Sequence, residues 1–474
     1  MALDVEVGTF TKDYTGTDGA TDVVSTGFQP KAIIIWGVLQ QTTDNQNAGD
    51  ASHSLGFSDG TNSRCADIRS EDVVARSDYL RSTNNDAVLG FLNPGGTGFL
   101  TKGSVVFNAA DFTITWDINN TDASRIHYII YGGADITGVQ VSDFVKTTTT
   151  QPTNQSITTD ADVQNITTGQ GIVFFLHARK TAFNSTTNDI FTQLGAASDT
   201  TEEAVFAAGG NDNTTTASPT SANLGDACII GQNTSSSAIE YEDEFNGFDA
   251  LGFDVNFRVN DAVADLISFM IIKGGKWEVG VETAGIVTGN KVTTTGHQPK
   301  GLLILGNKQT ATGVDSAIDQ SYNVGVSDAT TETSGAWTDE DAAADMKVGR
   351  TSSITKSARI FDINTFGIPT INGEANIASF NATDFTLNWT NAAVAAYRFM
   401  WIIAGDGEAG VALVRIVDET VNPREDLGDS TLKVIGLNKI INETEEISEN
   451  IARLLAISKV IDETENISDR LTKY

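Results

Sequence analysis

Few residues in this sequence have a spacing that could support catalysis or metal binding. None of the four histidines lies at metal-ligand spacing from another His, a Cys or an acidic residue. They are His53, His127, His177 and His297. The chain has no phosphate-binding loop, no dinucleotide fingerprint and no H-E-x-x-H motif. We therefore expect no enzyme, no cofactor, and no catalytic or metal residues. His127 and His177 lie in or beside apolar runs, which predicts satisfied core positions.

Acidic and aromatic side chains leave weaker chemical alternatives. Acidic residues cluster at 240–244 and 339–341. Clustered carboxylates in loops can bind Ca²⁺, but EF-hand spacing is missing and solvated acidic loops are the simpler interpretation. A glycosidase needs only two facing carboxylates, so a polysaccharide depolymerase stays as an alternative. Trp337 lies in a polar segment and is the one tryptophan predicted as a candidate surface contact.

Internal repetition is the dominant signal and defines the elements that must position these residues. The segment T-G-F-Q-P-K-A-I-I-I-W-G at 26–37 matches T-G-H-Q-P-K-G-L-L-I-L-G at 295–306. At the same offset, L-G-F-S-D-G at 55–60 matches V-G-V-S-D-A at 324–329. A middle copy has diverged: it lacks Q-P-K but keeps Leu194-Gly195 and a matching strand. The third copy also carries His297 where the first carries Phe28.

The repeated blocks have the periodicity of β-strands. In D-F-T-I-T-W at 111–116 apolar and polar residues alternate, which predicts a half-buried strand. Continuous apolar runs at 32–36, 172–176 and 302–305 predict strands covered on both faces. Both strand types in one unit indicate a two-sheet sandwich. We predict an all-β protein of three sandwich or jelly-roll-like modules. Their predicted ranges are 1–135, 136–276 and 277–410.

Four polar segments between these strands are predicted to be long surface loops, where ligands could be met. They are residues 38–54, 61–84, 210–226 and 307–322.

The last part of the chain, 411–474, has a different composition and a shorter repeat. I-V-D-E-T-V-N at 416–422 is followed by related segments at 440–449 and 460–469. Abundant Ile, Val and Thr favour extended or β repeats, and a helical alternative follows from near-heptad apolar spacing. A narrow apolar stripe cannot bury itself alone. We therefore expect self-association through this tail.

Composition restricts the classes of partner. The net charge of −32 repels phosphate backbones and argues against nucleic-acid binding. The first residues lack a basic and then apolar leader, and no apolar run is long enough to span a membrane. We expect synthesis in the cytoplasm without a signal peptide and no membrane insertion. Cys65 and Cys228 are expected to be buried thiols rather than a disulfide.

Together, T-G-F-Q-P-K-A-I-I-I-W-G, G-F-S-D-G and D-F-T-I-T-W resemble repeat modules of virion proteins of tailed bacteriophages and related viruses. The tail segment I-N-E-T-E-E-I-S-E is similar to C-terminal repeats of phage-like proteins. This resemblance implies a virion structural protein, such as a fibre, spike, tail or capsid-surface component. It implies contacts with other virion proteins, with a host surface glycan as candidate ligand. Together with the tail's need for partners, the resemblance also implies a homotrimer formed through the tail. A cellular adhesin or carbohydrate-binding protein is the main alternative.

Overall fold

The described part of the chain is built almost entirely from antiparallel β-strands. The computed structural model describes residues 2–72, 78–93, 98–149, 152–212, 214, 219–233, 238–315, 320–340, 347–363 and 367–407. These residues contain a single short helix, a 3-10 turn at Ala161–Val163. The predicted all-β class is confirmed. The predicted tail at 411–474 lies outside the described residues.

The strands form three sets of eleven, which we call modules 1, 2 and 3. Module 1 contains β1 (Leu3–Thr11), β2 (Ala20–Ser25), β3 (Pro30–Val38), β4 (Gln46–Ala48), β5 (Ala51–Ser58), β6 (Ser63–Ser70), β7 (Tyr79–Asn84), β8 (Leu89–Leu92), β9 (Phe99–Phe107), β10 (Asp111–Ile118) and β11 (Arg125–Gly133). Module 2 contains β12 (Gly138–Val145), β13 (Thr153–Thr158), β14 (Gly171–His177), β15 (Ser185–Asn188), β16 (Ile190–Ala197), β17 (Glu203–Gly210), β18 (Pro219–Leu224), β19 (Ile229–Gln232), β20 (Ile239–Phe248), β21 (Gly252–Val259) and β22 (Leu266–Lys273). Module 3 contains β23 (Lys276–Thr283), β24 (Gly289–Thr294), β25 (Gly301–Gly306), β26 (Gly313–Asp315), β27 (Gln320–Ser327), β28 (Glu332–Asp339), β29 (Val348–Ser353), β30 (Ala358–Ile363), β31 (Pro369–Asn381), β32 (Asp384–Asn391) and β33 (Arg398–Gly405).

Each module is a sandwich of a seven-stranded sheet and a four-stranded sheet. In module 1 the larger sheet has the order β1-β11-β3-β5-β6-β7-β15, and the smaller has β2-β10-β9-β8. Modules 2 and 3 repeat both orders with their equivalent strands. We call the larger sheet axial and the smaller sheet outer.

The last strand of every axial sheet comes from a different module. Strand β15 of module 2 pairs with β7 of module 1, and β26 of module 3 pairs with β18 of module 2. Strand β4 of module 1 pairs with β29 of module 3. Because the donation runs 2 to 1, 3 to 2 and 1 to 3, the modules close into a ring with a pseudo-threefold axis. All of these strands belong to one compact unit, Met1–Val411.

The axial sheets are apolar on both faces because each faces two different cores. In β3, Ile33 and Ile35 point into the sandwich core of module 1. Ile34 and Trp36 point the other way, into a central core that contains residues from all three modules. The prediction that the run at 32–36 is covered on both faces is therefore confirmed.

Aromatic contacts mark the two ends of the central core. At one end Trp277 of module 3 touches Tyr131 of module 1 and Phe174 of module 2, with ring centroids 5.1 and 6.2 Å apart. At the other end the Tyr79 hydroxyl of module 1 donates to Asp339 of module 3. The three modules therefore enclose a single core along the axis.

The starts and ends of the three modules come together at the end of the core that contains Trp277, which we call the terminal end. The Asp135 amide donates to the Ala2 carbonyl at 3.3 Å, and the Gly407 amide donates to the Asp135 carboxylate at 2.8 Å. The opposite, distal end carries the loops that follow β1 and β12, which finish at Thr11 and Val145.

The predicted long surface loops are wrong. Residues 38–54 and 61–84 contain β4, β5, β6 and β7, and the other two segments contain β18 and β26. Many of the polar side chains in these strands are buried, and neighbouring strands satisfy some of them. For example, Ser54 donates to Asp67 at 2.6 Å and accepts the Gly90 amide at 2.9 Å.

Candidate functional site: the module junctions

The repeated Q-P-K and S-D elements meet at the junction between one module and the next. Gln298, Pro299, Lys300 and Asp328 of module 3 line a groove of about 420 Å³, together with Leu3–Val5 of module 1. An equivalent groove of about 350 Å³ joins modules 1 and 2. Its lining includes Gln29, Pro30, Lys31, Asp59, Phe107 and Val139. The sequence repeat therefore marks a repeated interface.

The lysine of each Q-P-K element ties its own module to the next. Lys31 Nζ donates to the carbonyl oxygens of Gly133 and Ile136, at 2.9 and 2.6 Å. Lys300 Nζ donates to the Leu3 carbonyl at 2.9 Å and pairs with Asp406 at 2.6 Å. The second lysine therefore closes the ring between the start of module 1 and the end of module 3.

In modules 1 and 3 the aspartate of the S-D element caps the free edge of a neighbouring sheet. Strands β1 and β12 are edge strands, so their outward N–H groups have no strand partner. Asp328 Oδ2 accepts the Val7 amide at 3.2 Å, and Asp59 Oδ2 accepts the Val141 amide at 3.0 Å. The other oxygen of Asp59 holds its own turn through the Thr61 amide, at 2.8 Å. Each carboxylate thus joins two modules.

The third junction, between modules 2 and 3, lacks the Q-P-K lysine, although module 2 keeps an S-D element at Ser198-Asp199. Asp199 Oδ1 accepts the amides of its own turn, from Thr201 at 2.6 Å and Glu202 at 2.9 Å. Strand pairing places Gln170 and Gly171 at the positions of Pro30 and Lys31. Lys273 Nζ instead donates to the Gln164 carbonyl at 2.6 Å, within module 2. The end of module 2 is therefore held by a contact within its own module.

Phe28 and His297 occupy equivalent positions in modules 1 and 3, although their side chains differ chemically. A Cβ on Gly132 would lie 2.5 Å from Phe28, and one on Gly405 would lie 2.4 Å from His297. Each ring therefore covers a glycine at the end of its module. Burial lowers the pKa of His297 to about 4. The His297 ring is therefore neutral at pH 7 and occupies this position without a charge.

Two other histidines are satisfied core residues, as predicted. His127 stacks on Trp36 with centroids 5.3 Å apart and is hydrogen-bonded to Thr333 and Ser352, at 2.6 and 3.1 Å. The latter two belong to module 3, so His127 holds modules 1 and 3 together. His177 Nε2 lies 2.9 Å from a backbone carbonyl oxygen. Burial lowers the pKa of both rings to about 3.

The acidic clusters are not solvated loops, which corrects that prediction. The first lies in β20, where Arg258 pairs with Glu242 and, at 2.6 Å, with Glu244. Asp243 is fully buried between them, and burial raises its pKa well above the usual range for a carboxyl. In the second cluster, Asp339 is buried at the end of β28 and accepts from Tyr79.

Trp337 is not a surface residue, and its assignment as a candidate surface contact is wrong. It lies in β28 and is 1% exposed in the central core. Cys65 and Cys228 are buried free thiols, as expected.

One motif not recognised in the sequence is G-F-S-D-G at 56–60, which matches the G-x-S-x-G pattern of serine hydrolases. In those enzymes the serine sits on a turn from a strand into a helix. Here Ser58 ends a strand that turns into the antiparallel β6. Its buried hydroxyl donates to the Asn62 carbonyl at 2.6 Å and accepts the Gly60 amide at 3.0 Å. The serine stabilises a hairpin turn and is not placed as a nucleophile.

Among the residues that the structure describes, no group of three or more His, Cys, Asp or Glu is placed to hold a metal ion. Within the same residues no helix is long and apolar enough to cross a membrane. No protein-family model matches the sequence, and the comparison with curated proteins found no match. The junction geometry is therefore the main guide to function.

Proposed function

We propose that this protein is a structural component of a virion, in which the ring of three modules is displayed as a spike or capsid-surface head. The observation that carries the proposal is the closed exchange of strands β4, β15 and β26 among the modules. The junction residues described above join modules through backbone and carboxylate contacts. This supports a mechanical role for the repeated residues.

The ring is also compatible with a surface of threefold symmetry. Symmetric assemblies match equivalent patches to equivalent patches. A single chain with three similar modules offers three related surfaces around one axis. The homotrimer predicted from the tail stays a prediction, since it depends on residues outside those described.

The two ends of the ring differ in their exposed apolar surface. Of the thirteen large apolar side chains that are exposed among the described residues, eight lie in loops or strand ends at the distal end. They are Tyr14, Ile118, Val145, Val263, Ile286, Val287, Ile368 and Val394. Exposed apolar residues at one end favour a contact there. We propose that the distal end faces outward, toward a host or a neighbouring protein, and that the terminal end faces the particle.

Site-specific labelling tests this orientation. Both native cysteines are buried, so an introduced cysteine is the reactive thiol. Val394→Cys places a gold label at the distal end, where the side chain is 71% exposed. Leu251→Cys is the matched control: it is 59% exposed, in a turn whose carbonyl accepts the Thr159 amide close to the terminal end.

We expect cryo-electron micrographs of intact particles to show both labels, with the Val394→Cys gold farther from the particle surface. Labels at equal radius would contradict the orientation. A purified particle fraction that lacks the protein would contradict the virion proposal itself. Host glycan binding can be measured on the same preparation with a glycan array.

A further inference from the structure

The central core contains one polar layer that the junction contacts do not explain. Strand pairing places His53, Thr192 and Tyr322 at equivalent positions of β5, β16 and β27, opposite Ile68, Ala208 and Trp337 respectively. The three side chains are at most 1% exposed. The next residues along the same face, Leu55, Leu194 and Val324, are all apolar and fully buried. Each module therefore places one buried polar side chain at the same level along the pseudo-threefold axis.

The polar atoms of this layer have no protein partner among the described residues. These atoms are His53 Nδ1 and Nε2, Thr192 Oγ1 and Tyr322 Oη. The rings of His53 and Tyr322 lie edge to face, with centroids 5.6 Å apart. Buried polar atoms normally have hydrogen-bond partners, because leaving one unsatisfied is costly. Four unsatisfied atoms at one level would cost a large part of the stability of a folded domain.

The chemistry of the layer selects its ligand. A neutral imidazole offers one donor and one acceptor, and each hydroxyl offers both. Burial lowers the pKa of His53 to about 3, so the ring carries no charge at pH 7. The layer itself contains no carboxylate or basic side chain. Neutral donors and acceptors in this number match a buried water molecule, which typically makes about three hydrogen bonds.

We propose that His53, Thr192 and Tyr322 form a buried hydration site on the pseudo-threefold axis, which binds ordered water as a structural ligand. The water completes the hydrogen bonds that these three side chains do not make with protein groups of the described residues. Because a polar layer is satisfied only when the three strands are in one register, the site also disfavours slipped packing of the modules.

The sign of a stability change tests the site. If water bridges the Tyr322 hydroxyl, Tyr322→Phe in the full chain removes a hydrogen bond and lowers the melting temperature. If the hydroxyl is unsatisfied, the same change removes a desolvation penalty and raises it. Thr192→Val should behave like Tyr322→Phe. The matched control is Tyr241→Phe, because Tyr241 is fully buried but its hydroxyl has a protein partner, His177, at 3.3 Å.

We expect all three variants to melt at lower temperature than the parent protein. A crystal structure at about 1.5 Å resolution should also show a water peak within hydrogen-bond distance of Tyr322 Oη and a His53 nitrogen. An increase in melting temperature for Tyr322→Phe and Thr192→Val overturns the proposal. So does an axial layer without a water peak in that structure.

Discussion

A glycine in the fifth strand of each module is the most sharply testable feature of the packing. A Cβ at Gly325 would lie 1.8 Å from the Ser357 carbonyl oxygen, whereas real Cβ contacts stay above 3.0 Å. Gly325→Ala must therefore push the two sheets of module 3 apart by at least about 1.2 Å, the difference between these distances. The Ser357 amide donates to Ala375 at 3.1 Å, so this movement also strains a buried hydrogen bond.

The two effects set the expected magnitude. Overpacking costs about 1–3 kcal/mol, and an unsatisfied buried group costs about 1–3 kcal/mol. Alanine returns about 0.4–1 kcal/mol by restricting the unfolded chain. We therefore expect Gly325→Ala to lower the free energy of unfolding by about 1–5.5 kcal/mol, from the terms above. Gly98→Ala is the control, because no atom of the described residues lies within 4 Å of its added Cβ.

Guanidinium unfolding followed by circular dichroism measures this change. Because the modules share a central core, the variant should shift one cooperative transition rather than split it. Gly56→Ala and Gly195→Ala should have similar effects, since their added Cβ atoms would lie 2.0 and 1.8 Å from carbonyl oxygens. A loss below about 1 kcal/mol for Gly325→Ala, equal to that of the control, would refute the close approach of the two sheets.

Three further predictions follow from burial and charge. Trp337→Ala should lower the free energy of unfolding by about 3–5 kcal/mol in urea titrations. The control Tyr14→Ala, at a side chain that is 60% exposed, should change it by less than about 0.5 kcal/mol. Equal effects of the two substitutions would contradict the burial of Trp337. Burial raises the pKa of Asp67 from 3.8 to about 7, so its stabilising contribution is complete below pH 3.8 and is lost as the pH rises to about 7. That loss amounts to about 4 kcal/mol. We therefore expect the unfolding free energy of Asp67→Asn to fall less between pH 4 and 7.5 than that of the parent protein. An unchanged pH profile would contradict the raised pKa of Asp67. Lys300→Met should lower the free energy of unfolding by about 1 kcal/mol, because the ion pair of Lys300 with Asp406 is partly exposed. This loss should be smaller in 1 M NaCl, because salt screens the pair. A loss that does not depend on salt would show that the contact of Lys300 with the Leu3 carbonyl dominates.

Local patterns in the sequence were sufficient to predict the strands that contain an apolar run or an apolar-polar alternation. The run containing Ile34 and the alternation around Phe112 each predicted a strand that the structure contains. The same patterns could not reveal β5, β6 and β7 as strands, because their polar residues become buried only when distant segments satisfy them. Ser52, for example, is satisfied by the Leu92 amide at 2.8 Å.

The residues of the module junctions could likewise be predicted only in part from the sequence. The repetition of Q-P-K and S-D was visible in the sequence, so the existence of a repeated element could be stated in advance. That Lys300 reaches Leu3, and that Asp328 caps Val7, depends on the first and last modules meeting in space. No periodicity within a strand encodes a contact between segments so far apart along the chain.

The sequence by itself determined that the chain is all-β, that it repeats three times and that its middle copy has diverged, because hydrophobic periodicity and residue identity are local properties. Only the tertiary structure decided that each module lends a strand to another, that Trp337 is buried and that His53, Thr192 and Tyr322 share one level of the axis. Those features arise where strand edges and sheet faces need partners, and the closure of the ring determines which partner each one meets.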